Sequence, residues 1–310
     1  MVDINQRPLQ SVSVVMNCYN GAKHLREAID SVYAQTYENW EIIFWDNAST
    51  DTSAEIAKTY DSKLRYFRGE KTIPLGAARS KALEQCNGQY IAFLDVDDLW
   101  LPQKLEVQVQ EMQENPESIV CYSDGYDMYD EEKSPKKFSS YPNVKIFEGD
   151  VFNKLIISNF INWQTVLINK ELAVGNLYFN EELNFAEDHE LLLRLSLQGK
   201  VSFSPEPLIY YRLHENNMSH DISMIIRESK LIYHIFRKEI SIRGININKA
   251  RARLYGTVVM KAIRNREDYR QYSNYLLQYP NFQNIIVFVL IKLRMVFLFN
   301  IMLRGYPTKA

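Results

Sequence analysis

Short apolar, β-branched runs alternate with segments of helical periodicity over the first hundred residues, and this alternation confines the chain to a narrow set of folds. Val12 to Met16 reads as a buried parallel strand. Asn20-Gly21 breaks it, after which Leu25, Ala28, Ile29 and Val32 recur at helical spacing. Glu41 to Trp45 is a second strand, followed by helix-like Ala54 to Tyr60 and a short strand at Leu64 to Phe67. Pro74-Leu75-Gly76 opens a helix over Ala77 to Cys86, which Asn87-Gly88 ends, and Tyr90 to Leu94 is the next strand. Strands that alternate with helices predict an α/β fold, a mostly parallel central sheet with helices on both faces. In such sheets ligands bind beyond the carboxyl ends of the strands. Asp46 and Asp95 both fall at that edge, in one predicted crevice.

The next segments are less regular. Leu101 to Asn115 reads as a helix, Ser118 to Tyr122 as a strand and Asp130 to Lys137 as a charged loop containing proline. Val166 to Ile168 is a strand, Asp188 to Gln198 a helix and Leu208 to Leu213 a last strand. From Asp221 onward the pattern is helical, over Ile222 to Ile240, Ala250 to Ile263 and Asp268 to Gln278. A formal net charge of -2 argues against a nucleic-acid binder. Three scattered cysteines, Cys18, Cys86 and Cys121, form neither a disulfide framework nor a zinc motif and point to a reducing cytosolic setting. Met1 to Gln10 is polar and reads without a signal peptide.

The run Asp95-Val96-Asp97-Asp98 follows directly on the Tyr90 to Leu94 strand. Asp95 and Asp97, two apart on extended backbone, point the same way. Hard divalent cations take oxygen ligands and are commonly held by one or two carboxylates plus phosphate oxygens. Capping or a solvated turn is the plainer reading of such a run, and Asp98 suits a cap.

Five segments in order carry a resemblance. They are Val12 to Gly21, Trp40 to Asp51, Gly76-Ala77-Ala78-Arg79, Asp95-Val96-Asp97-Asp98 and Glu187-Asp188. Over roughly Ser11 to Ser219 the chain resembles the family 2 glycosyltransferases, inverting enzymes of the GT-A fold that transfer a sugar from a nucleotide diphosphate. The resemblance implies a GT-A domain over 1–220, with its nucleotide-binding half at about 11–105 and its acceptor half at about 106–220. A C-terminal helical extension follows over 221–310. The resemblance also implies site roles: Tyr19 stacks on a uracil-like base, Asp46 accepts from its ring N–H, and Arg79 lies beside the phosphates. Asp97 ligates Mn²⁺ or Mg²⁺, with Asp95 on the ribose or assisting the metal. Asp188 is the general base, with Glu187 alongside. The segment Tyr211 to Ser219 resembles the loop that ends the catalytic domain, and places His214 as a second metal ligand. The family often has proline at Asn17 and glycine at Ala48, two departures without side-chain catalytic roles.

The expected function is transfer of a hexosyl or N-acetylhexosaminyl unit, from a UDP-sugar in preference, to a glycan or lipid-linked acceptor in cell-surface glycan synthesis. Other classes are a sugar nucleotidyltransferase, which should carry a Gly-rich basic loop that Asn17 to Gly21 does not match, and a non-catalytic nucleotide-sugar-binding protein. Trp163 and Gln164 are candidates to line an acceptor groove, a buried core tryptophan being the other reading. Ile285 to Leu303 is almost continuously apolar, but Lys292 and Arg294 each cost about 2.5–3.5 kcal/mol at a bilayer centre, which disfavours a spanning helix. Its wheel fits a helix lying on the inner face of the cell membrane. Packing within the protein or in a homodimer is the competing expectation.

Overall fold

The structure, a computed structural model, describes residues 10–128, 135–140, 145–213, 221–264, 268–281, 284–285 and 287–288. The chain divides into two compact units. One comprises Met1–Phe138, Ile146–Asp150 and Ile161–Leu213; the other comprises Ser139–Lys145, Val151–Phe160 and His214–Ala310.

In the first unit β1 (Val12–Cys18), α1 (Ala22–Tyr33), β2 (Trp40–Asp46), α2 (Ser53–Ala57), β3 (Leu64–Arg68), α3 (Leu75–Leu83) and β4 (Tyr90–Phe93) follow the predicted alternation. These four strands are all parallel, in the order β3-β2-β1-β4. α1 buries Leu25, Ala28, Ile29 and Val32, the four residues that set its period. They pack with Val12, Val14, Ile42, Phe44 and Ala92 of the strands in one core.

Beyond β4 the sheet becomes mixed. β5 (Leu99–Trp100), α4 (Lys104–Glu114), β6 (Ser118–Met128), β7 (Lys136–Lys137), β8 (Leu167–Asn169), α6 (Glu187–Leu195) and β9 (Lys200–Arg212) complete the unit; α5 (Phe152–Leu155) belongs to the other. The order continues β4-β8-β6-β9-β5, with β7 on β6. β8 is antiparallel to both β4 and β6, while β9 is parallel to β6. The sequence places the last strand at Leu208 to Leu213, because Pro205 and Pro207 interrupt the pattern; in fact β9 starts at Lys200. It runs through the prolines because the ladder shifts register opposite them, with Asp124 facing Pro207, and a bulge needs no proline N–H.

α4 begins in the core on a lysine. Lys104 has no exposed surface; its ammonium donates to Gln108 Oε1 (2.6 Å) and lies 4.2 Å from the centre of the Trp100 ring. Burial without a carboxylate partner pushes its pKa down from 10.5 to about 7. Below that value both the folded and the unfolded chain carry the proton. Above it the unfolded chain alone binds one, so this group makes stability rise with pH. Denaturant titrations from about pH 6.8 to about 7.6, below ordinary thiol ionisation, should show that rise. Lys104→Met should flatten it; an unchanged slope in the variant overturns the assignment.

The second unit is helical: α5, α7 (Ile222–Ile235), α8 (Arg237–Ile242), α9 (Ile247–Arg264) and α10 (Arg270–Gln278). The single helix predicted over Ile222 to Ile240 is two, divided at Phe236, whose ring packs on Phe152 of α5. Asn284 is buried and donates to the carbonyls of Ala252 (2.8 Å) and Tyr279 (3.0 Å). Val287 is buried with Val259 and Leu276, and Phe288 packs against that cluster. The start of the apolar tail thus lies on protein, whereas residues 289–310, which hold most of 285–303, lie outside the described residues. Among the described residues no helix is long and apolar enough to cross a membrane.

Candidate active site

Parallel register brings the carboxyl ends of the strands level. Cys18 pairs with Asp46 and Asp46 with Arg68, while Val15 pairs with Phe93, two residues before Asp95. The β1–α1 and β2–α2 loops clasp each other there. Ser49 Oγ accepts from Asn20 N (3.0 Å), Asn20 Oδ1 from Thr50 N (2.8 Å), and Asp51 Oδ2 from Ala22 N at the start of α1 (3.0 Å). The clasp requires left-handed backbone at Asn20 (φ 54°) and Ala48 (φ 63°). Asparagine tolerates that region and alanine does so at a cost, which is the physical meaning of the glycine often found at position 48 in the resembled family. Gly21 is needed for space, since a Cβ there would come within 2.6 Å of Val96 in the acidic loop. Tyr19 extends from this clasp with 55% of its surface exposed, so its ring is accessible for stacking.

Asp46 lies beneath the clasp with no exposed surface. Its Oδ1 accepts from Ser49 N (2.7 Å), and its Oδ2 from Tyr66 O–H (2.6 Å) and from Arg68. Burial opposes the charge, but these donors prevail and hold its pKa below the usual carboxylate value. Of its partners, Arg68 reaches toward solvent, with a side chain 44% exposed. Arg68 was not legible beforehand, because the register of parallel strands joined through a helix is set by packing rather than by spacing.

Arg79 is held between two carboxylates. Its guanidinium is buried, and pairs with Glu187 Oε1 (2.7 Å) at the start of α6 and with Asp95 Oδ1 (3.0 Å). A phosphate group would have to compete with both carboxylates for it. Arg79 thereby joins the two acidic segments, which are 92 residues apart in sequence, through one planar cation. Phe179 and Trp163 flank it; Trp163 is buried and packs 4.4 Å from Phe93, the core role rather than a groove wall.

Gln164, on the turn Trp163–Thr165, fixes the other side of Asp95. Its Oε1 accepts from Asp95 N (2.9 Å) and its Nε2 donates to Asp95 Oδ2. Burial foremost, then the charge of Asp97 against the opposing attraction of Arg79, leaves the Asp95 pKa raised. Asp98 is buried; its Oδ1 accepts from Arg212 N (2.7 Å), while Arg212 Nε donates to Asp97 O (2.8 Å) and its Nη2 to Glu27 (2.9 Å). Desolvation, then the charges of Asp97 and Asp95, pushes the Asp98 pKa well above the ordinary carboxylate value. Asp98 is a clamp on β9 rather than a helix cap.

Asp188 stands on the first turn of α6, half-buried beside Glu187. Desolvation, followed by the neighbouring Glu187 charge, pushes its pKa up to about 7 against the pull of Arg79. A carboxylate so placed is matched to proton abstraction near neutral pH. His214 lies outside the described residues, and among those described no three His, Cys, Asp or Glu side chains converge as a metal cluster.

The family model described as "Glycosyl transferase family 2" matches residues 13–171, from β1 to just beyond β8. The chain belongs to that family. Two relatives extend the match. A glycosyltransferase assigned to teichuronic acid biosynthesis, TuaG of Bacillus subtilis, is 30% identical over 74% of this chain and 88% of its own. The UDP-Glc:α-D-GlcNAc-diphosphoundecaprenol β-1,3-glucosyltransferase WfgD of Escherichia coli is 32% identical over 62% of this chain and 72% of its own. Among solved structures, the mannosyltransferase PcManGT of Pyrobaculum calidifontis, in complex with GDP-Man and Mn²⁺, superposes with a TM-score of 0.60 at 16% identity, over 92% of this chain and 83% of that one. The fold is GT-A, and this family 2 protein is a glycosyltransferase. Membership removes the nucleotidyltransferase and the non-catalytic module as readings of the chain.

Proposed function

We propose that this family 2 enzyme transfers a hexosyl or N-acetylhexosaminyl unit, with inversion, from a UDP-sugar to a hydroxyl of a lipid-linked glycan at the inner face of the cell membrane. The observation that carries the reading is the Asp95–Arg79–Glu187 bridge, which sets the proton-accepting Asp188 and the acidic loop at one site. The donor and lipid-linked acceptor of WfgD support the choice of substrates.

Tyr19 stacks on the base, and Asp46 takes its ring N–H after Arg68 moves aside. Arg79 holds Asp95 and Glu187 in place. The acidic loop suits a hard divalent cation: Asp97, half-exposed two residues beyond the Asp95 held by Arg79 and Gln164, would share Mg²⁺ or Mn²⁺ with the diphosphate. Bound there, the cation supplies Lewis-acid neutralisation of the leaving diphosphate. Asp188 accepts the proton of the acceptor hydroxyl as its oxygen attacks the anomeric carbon, and the bond to the diphosphate oxygen breaks. A donor panel with mass spectrometry of the products tests substrate class, and product anomeric configuration by NMR tests inversion. A product that keeps the donor's configuration overturns the mechanism.

Asp97→Ala should abolish metal-dependent turnover and leave the melting transition near that of the parent, because the residue sits on a surface loop. Turnover assayed with and without Mn²⁺ checks this. Full activity of the parent in excess EDTA overturns the metal role.

A further inference from the structure

The C-terminal unit contains a cleft of about 220 Å³ between three helices. Lys230 and Tyr233 reach it from α7, Arg251 and Tyr255 from α9, and Tyr275 and Tyr279 from the end of α10. Tyr255 lies parallel to Tyr275, with ring centroids 4.2 Å apart, and parallel to Tyr279 at 5.6 Å. Tyr255 is buried and stacks its face on Tyr275, which leaves the half-buried Tyr275 and Tyr279 at the cleft, and the Arg251 guanidinium lies 5.6 Å from the centre of Tyr279. Among the described residues neither Arg251 nor Lys230 is paired with a carboxylate, whereas Arg227, one turn before Lys230 on α7, pairs with Glu228 at 2.9 Å.

Helix packing alone needs no uncompensated cations at an aromatic cleft. Two of them beside four phenols make a site with a defined ligand chemistry. The cations take an anion, which the guanidinium binds through a fork of donors. The half-buried rings of Tyr233, Tyr275 and Tyr279 pack against the C–H surface of a saccharide, and their phenol O–H groups donate to or accept from its hydroxyls. Size decides the extent of the ligand. Clefts for drug-sized molecules run to about 300–1,000 Å³, so this one holds a single ring rather than a whole nucleotide sugar. We propose that the cleft binds an anionic saccharide unit, a sugar ring bearing a carboxylate or a phosphate, and so gives the enzyme a hold on an acidic glycan through residues other than those of the donor site. The binding stands independently of the transfer reaction proposed above.

The test is titration calorimetry on the full chain, with UDP and Mn²⁺ at saturation so that the donor site is filled. The probes are a glucuronic acid-terminated disaccharide, glucose 6-phosphate, glucose, inorganic phosphate and benzoate. At least one anionic sugar should bind at least tenfold more tightly than glucose, phosphate or benzoate, and whichever of the two is preferred identifies the carboxylate or the phosphate as the natural anion. Arg251→Gln should weaken that binding at least tenfold. Lys230→Gln, on an exposed position that cannot unfold the helix, should weaken it severalfold, with UDP affinity unchanged in both. Phosphate binding as tightly as glucose 6-phosphate would reduce the cleft to an anion site, and benzoate as tight as the disaccharide to an aromatic-anion pocket. Either result, no binding of any anionic sugar, or unaltered affinity in both variants overturns the proposal.

Discussion

Replacing Asp188 with asparagine should lower kcat by about 10²- to 10⁴-fold while nucleoside diphosphate still binds as it does to the parent. The substitution keeps the size of the side chain on the first turn of α6 and removes only its ability to accept a proton. The pH profile of the parent carries the second half of the expectation. Desolvation, and then Glu187, raises the Asp188 pKa to about 7. The base is therefore protonated below that pH and active above it, so the rate should fall about tenfold per unit as pH drops beneath 7. In Asp188→Asn the residual rate should lose this acid limb. Collapse of donor affinity with turnover unimpaired would instead move Asp188 into the donor site.

Arg79→Met should be the most damaging single change. It leaves Glu187, which is almost wholly buried, without its counter-ion, and breaking a buried pair from one side costs about 3–5 kcal/mol. Methionine fills much of the space against Trp163 and Phe179, so the loss is chiefly electrostatic. The same guanidinium lowers the pKa of both Asp95 and Asp188. Its removal should therefore shift the acid limb of any surviving activity to higher pH, a change that mere unfolding would not produce. Arg79→Lys should rescue stability in part and turnover less, since a single ammonium cannot present two nitrogens to two carboxylates in a plane. Urea titration and pH–rate profiles of the three proteins check this. A stable Arg79→Met with an unmoved acid limb would mean that the bridge has no catalytic consequence.

The periodicity of the first hundred residues was enough for the nucleotide-binding half of the fold. Apolar runs at Val12 to Met16, Glu41 to Trp45 and Tyr90 to Leu94 are strands because burial on both faces demands continuous apolar sequence. Their order with intervening helices leaves little choice but parallel pairing. The rule that ligands sit at the carboxyl edge then made Asp46 and Asp95 candidates, and the acidic run added Asp97. In the second half, local signals misled. Pro205 and Pro207 hid the first half of β9, and a two-residue strand such as Leu99–Trp100 has no periodicity to detect.

What the sequence determined, then, was which side chains could do the chemistry, because residue type and strand position are local properties. What only the tertiary structure decided was how those side chains are held. Arg79, expected beside phosphates, ties Asp95 to Glu187. Asp46 is sealed by Tyr66 and Arg68, Gln164 is committed to Asp95 rather than to an acceptor, and Asp98 locks onto Arg212. The cause is common to all four. A buried polar group must find a partner wherever the packed chain supplies one, and those partners lie 16 to 114 residues away, set by strand register and helix docking rather than by spacing.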